Sequence, residues 1–219
     1  MLPYSVSLLL DFSILISVII SLQKLRDVRK EYLPFIVSVW VNLLGCIATE
    51  IAIYFWRSNG IIANFYFIIF CLLILWQFKR WGLFSDRPAA FYVMLGVFVL
   101  VWSVDNLVIG TLYKFNPYAR IINSMAIVLL SVHLLSSELV DEAKSFWKSS
   151  KQLILMTYIL LFTIKMITEF FWQYGIQLGD SFMVSIFLIY QYINFTANLL
   201  YAYAMLWIPV TTRYSWPLR

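Results

Sequence analysis

Seven uninterrupted apolar runs, joined by short polar connections, leave this chain few folds to choose from. They lie near residues 4–22, 33–56, 61–78, 89–112, 119–138, 152–173 and 181–208. Crossing a hydrocarbon core of about 30 Å takes roughly 20 helical residues, and each run comes close to or exceeds that. Backbone groups in hydrocarbon must satisfy one another, so only helices and closed barrels span it. The runs are continuous rather than alternating, which excludes an outer-membrane barrel. The expected fold is therefore all-α: one domain over residues 1–219, a polytopic bundle of seven transmembrane helices. With 63% hydrophobic residues among 219, the composition belongs to the same class.

Charge sets the expected orientation. Only 12% of residues are charged, and they lie mostly between the apolar runs. The first, third and fifth connections and the tail hold Lys24, Arg26, Arg29, Lys30, Lys79, Arg80, Arg87, Lys144, Lys148, Lys151, Arg213 and Arg219. The opposite side holds three: Arg57, Lys114 and Arg120. A split of twelve to three predicts the N-terminus outside and the C-terminus in the cytoplasm. An integral, multi-pass protein of a plasma or inner membrane is expected. The net charge of +5 then reports topology and anionic lipid, not a nucleic-acid partner. Trp56, Trp76, Trp81, Trp147, Trp172 and Trp207 fall near run ends, where interfacial anchors belong. Cys46 and Cys71 sit inside separate apolar runs and read as small buried residues.

The ionisable and amide residues inside the runs are the candidates for function. Charge in hydrocarbon costs at least about 2.5–3.5 kcal/mol on insertion scales, so such groups face a bundle interior. Asp11, Glu50, Asp105, Lys165 and Glu169 all belong to the expected outer half, and most fall within about two helical turns of one another in depth. Lys165 is expected to be the only buried base, against four acids. It stands four residues before Glu169, a spacing at which side chains meet. Gln191, Asn194 and Asn198 recur at spacings of three and four and form one stripe on the seventh run. Two readings of the stripe stay open: hydrogen bonds that fix helix packing, or the lining of a wet cavity. Trp102, one turn before Asp105, is a possible wall for an organic cation. The candidate ligand-binding set is Asp11, Glu50, Trp102, Asp105, Lys165, Glu169, Gln191, Asn194 and Asn198.

No catalytic motif, metal-ligand spacing or phosphate loop is present. The expected topology resembles that of rhodopsins and G-protein-coupled receptors. Retinal proteins carry their Schiff-base lysine on the seventh helix. The seventh run here has no lysine and Lys165 lies on the sixth, so a retinal Schiff base is not expected, nor is any other cofactor. In size and topology the chain also resembles sugar transporters of the SWEET type, without their Pro-Gln dipeptide. Three functional readings follow, in order. The first is a receptor or sensor subunit that binds a small, cationic or protonatable ligand in an outer-half pocket and signals through a cytoplasmic or membrane partner protein. The second is a small-solute or proton/cation-coupled transporter. The third is a structural subunit of a membrane complex or an intramembrane enzyme.

Overall fold

A computed structural model describes residues 4–25, 27–141, 149–174 and 180–210. Arg26, Lys144, Trp147, Lys148, Arg213 and Arg219, used above, lie outside them. The first span is made of α1 (Tyr4–Asp11) and α2 (Ile14–Lys24). After a 3₁₀ turn over Lys30–Tyr32 come α3 (Leu33–Trp56), α4 (Gly60–Arg80) and α5 (Pro88–Ser103), which a π-helical turn continues over Val104–Ile109. Then follow α6 (Tyr118–Asp141), α7 (Ser150–Tyr174) and α8 (Asp180–Leu206). Seven helical spans among the described residues are long and apolar enough to cross a membrane. Leu9, Leu44, Leu100 and Leu129 point outward and exposed, a surface suited to hydrocarbon rather than water.

Two spans depart from the regular helices expected of them. The first is interrupted at Phe12 and Ser13, where the N–H groups of Ser13, Leu15 and Ile16 each bond a carbonyl three residues back. The Ser13 hydroxyl also donates to the Leu10 carbonyl at 2.6 Å, competing with the helix for that acceptor. The fourth span ends in the π turn, closed by the Gly110 N–H on the Asp105 carbonyl at 2.9 Å, a five-residue step. Gly110 is required there. A Cβ would collide with the Asn116 side chain and come 2.9 Å from the Asp105 carbonyl.

The spans close into a ring, with the first packed against the seventh through α2 and α8, and α4 lying against α3, α5 and α6. One end is basic. There the Lys24 ammonium donates to the carbonyls of Met205 at 3.0 Å and Leu206 at 2.5 Å, capping the C-terminus of α8. Gln77 accepts from the Phe35 N–H at 2.8 Å and donates to the Glu31 carbonyl at 2.7 Å, tying α4 to the start of α3. Lys151 pairs with Glu138 between α7 and α6. The half of the bundle nearest this end is filled by touching aromatic rings. Phe35 meets Tyr201 at 5.5 Å, Tyr201 meets Tyr158 at 6.0 Å, and Tyr158 meets Phe78 at 6.0 Å and Phe162 at 6.4 Å. Such pairs contribute about 0.5–1.5 kcal/mol each beyond the area they bury.

Candidate functional site

The polar stripe of α8 faces the first span. Gln191 donates to the Ser7 hydroxyl. Asn198 donates to the Ser13 hydroxyl at 2.9 Å, and the Ser17 hydroxyl donates to the Asn198 carbonyl at 3.1 Å. Gln191 and Asn198 are thus engaged in joining two spans. Asn194, between them, donates to the Asp11 carboxylate at 3.5 Å. That contact stands at the edge of a cavity.

The cavity has a volume of about 170 Å³ and is lined by Asp11, Glu50, Lys165 and Asn194 together with Asn42, Cys46, Tyr66 and Tyr190. Four helices, α3, α4, α7 and α8, supply most of its wall, and the end of α1 with the interruption after it supplies Asp11 and Phe12. Phe70 and Phe162, stacked at 6.0 Å, also line it and join it to the aromatic chain that runs to the basic end. The Tyr66 hydroxyl donates to Asn42 at 2.8 Å. Its ring packs against Gly45, where a Cβ would come 2.5 Å from a ring carbon. Gly45 therefore lets the ring lie against α3 instead of in the open space. Two carboxylates and one ammonium share this cavity. The Lys165 ammonium lies 4.7 Å from the Phe67 ring centroid and, among the described residues, makes no hydrogen bond or ion pair.

The remaining acids belong to a second cluster, away from the basic end. Glu169 is paired with Arg120 at 3.3 Å, and both side chains are 6% exposed. Arg120 also donates to the Asn64 side chain at 3.3 Å and lies 3.8 Å from the Phe115 ring centroid. This corrects the expectation that Lys165 is the only buried base. Arg120 was counted with the outer connection, but the first turn of α6 carries its side chain inward. Asp105 accepts from the Ala119 N–H at 2.7 Å, capping the start of α6 from another helix. Trp102 donates to the Asn64 carbonyl at 2.9 Å. Asn64 in turn donates to the carbonyls of Leu112 at 3.1 Å and Lys114 at 2.8 Å. Trp102, Asp105 and Glu169 therefore shape the connection between α5 and α6 and do not line the cavity.

Of the nine candidate residues, four line the cavity, and the other five bond elsewhere. The sequence reading missed Arg120, Asn42, Tyr66 and Tyr190. Asn42 alone carried a visible signal, an amide inside an apolar run. Among the described residues no group of His, Cys, Asp and Glu is arranged to hold a metal ion. Cys46 and Cys71 are free thiols. Helices and cavity together describe a multi-pass membrane protein with a small polar chamber. Compared with protein-family models, curated proteins and solved structures, the chain finds no match in any of the three.

Proposed function

We propose that this protein is a small membrane receptor or sensor subunit, inserted with its N-terminus outside, which binds a small amine-bearing ligand in the cavity. The observation that carries the reading is the contrast between the two halves of the bundle. The half away from the basic end holds the polar cavity, with Asp11 and Glu50 in its wall. The half toward the basic end is packed with aromatic rings, which begin at the cavity wall with Phe70 and Phe162. A ligand entering from outside would press on a close-packed column whose far end, at Phe35, is bonded through Gln77 to the basic end. A partner protein at that face would receive the change. Carboxylates shielded from bulk water favour a cationic group, because charges interact more strongly there than in water.

The interruption at Phe12 and Ser13 favours a second reading, transport, because broken helices at a polar site are a feature of transporters. One experiment separates the two. The full chain is reconstituted in liposomes, and binding and uptake of a panel of small radiolabelled amines are measured. Saturable binding, lost in Asp11→Asn and without accumulation, is the result expected of a receptor. Accumulation inside the vesicles would replace it with transport, and no saturable binding would defeat both.

A further inference from the structure

We infer that the cavity is built for a dipolar ligand of amino-acid size, with an ammonium group held at Asp11 and an anionic group held at Lys165. The inference rests on the proposal that the cavity is a ligand site, and it adds the second charge.

Lys165 is the observation that demands it. Its ammonium lines the cavity and touches an aromatic ring, yet among the described residues it makes no hydrogen bond or ion pair. The acid one turn further along its own helix, Glu169, is bonded to Arg120 on α6. Asp11, the cavity acid on α1, accepts from Asn194 and, among the described residues, forms no ion pair with Lys165 on α7. A cation removed from bulk water is costly until an anion or ordered water meets it. The cavity therefore carries opposite charges on separate walls. A simple cation satisfies Asp11 but meets the like charge of Lys165. A simple anion satisfies Lys165 but meets two carboxylates. A molecule with both groups meets each with its opposite, and the amides of Asn42 and Asn194 supply neutral partners.

Size sets the length. The cavity holds about 170 Å³, and a water takes about 30 Å³, so the solute has room for roughly six non-hydrogen atoms. That is room for a short amino acid.

The test uses the full chain in nanodiscs of neutral lipid and isothermal titration calorimetry. The probes are glycine, β-alanine and 4-aminobutyrate, each beside the amine and the carboxylate of matching length. At least one amino acid is expected to bind tenfold or more tightly than both of its matched single-charge probes. Lys165→Met and Lys165→Gln, each checked by thermal melting, should reduce amino-acid binding tenfold or more and abolish the preference for the amino acid over its matched amine. Asp11→Asn should weaken both amino acid and amine. Amine binding as tight as amino-acid binding, unchanged in both Lys165 variants, would overturn the dipolar inference and leave the amine receptor standing. Binding by none of the probes, with all variants folded, would overturn the inference and the ligand site together.

Discussion

Arg120 on α6 and Glu169 on α7 form an ion pair at 3.3 Å in the interior of the bundle. The contact is made through one oxygen. The other carboxylate oxygen of Glu169 and the Arg120 Nε have no hydrogen-bond partner among the described residues. Asn64 on α4 and the Phe115 ring complete the surroundings of the guanidinium. One side chain thereby ties α4, α6 and α7 to the connection that precedes α6. It also withdraws Glu169 from Lys165, which leaves the lysine to the cavity.

Breaking that pair from either side strands a buried charge. Arg120→Met and Glu169→Gln should each destabilise the bundle, by about 3–5 kcal/mol for a fully buried pair. The double variant should lose clearly less than the sum. Thermal melting of the four proteins in one detergent completes the cycle. Additive losses would show that the two charges do not act on one another.

Gly45 controls how much of the cavity stays open. In Gly45→Ala the new methyl meets the Tyr66 ring at 2.5 Å, so the ring must leave its seat and lose its bond to Asn42. Overpacking of this kind costs about 1–3 kcal/mol. The displaced ring should fill the chamber and shield Cys46, which lines it, whereas Cys71 is already buried. Labelling with a small thiol reagent, read by mass spectrometry, should modify Cys46 and spare Cys71 in the parent and slow markedly at Cys46 in the variant. Adding Tyr66→Ala should restore it. Equal labelling of parent and Gly45→Ala would mean that the ring finds room elsewhere.

The spans were legible because length and continuous hydropathy are properties of the chain alone. The same holds for the stripe of Gln191, Asn194 and Asn198, since helical spacing puts them on one face whatever they touch. Their partners were not legible. Ser7, Ser13 and Ser17 look like ordinary small residues until two spans are laid together. The break at Phe12 and Ser13 carries neither proline nor glycine to announce it. Arg120 was the largest omission. An arginine two residues into a span reads as an interfacial anchor, and only the packing of α6 against α7 shows that it points inward. Asp105 was singled out for its depth, but depth does not distinguish an acid facing a cavity from one capping a neighbouring helix.

Lys24 has a structural duty besides its place in the charge asymmetry. It caps two carbonyls at the end of α8, where a cation also opposes the negative end of the helix dipole. Lys24→Ala should cost about 1 kcal/mol. Arg87→Ala, at an exposed position on the same end, should cost nothing measurable. Melting temperatures of the two variants make the comparison. Equal effects would reduce Lys24 to one basic residue among many.

Orientation is open to a direct test. Twelve of the basic residues fall in connections expected on one side and three in those expected on the other, a bias that predicts the richer side in the cytoplasm. Arg120, one of the three, is buried against Glu169, so the solvent-facing asymmetry is steeper still. Seven crossings, an odd number, would place the two termini on opposite sides. A reporter active only in the cytoplasm, fused after Arg219, should be active. The same reporter inserted at Gly175, between the sixth and seventh spans, should be silent, and one active only outside should give the reverse pattern. Matching signals from the two positions would mean that the last span does not cross, and reversed signals would turn the cavity toward the cytoplasm. The latter outcome would leave the geometry intact but make the ligand an intracellular one, so this measurement comes before any search for what binds.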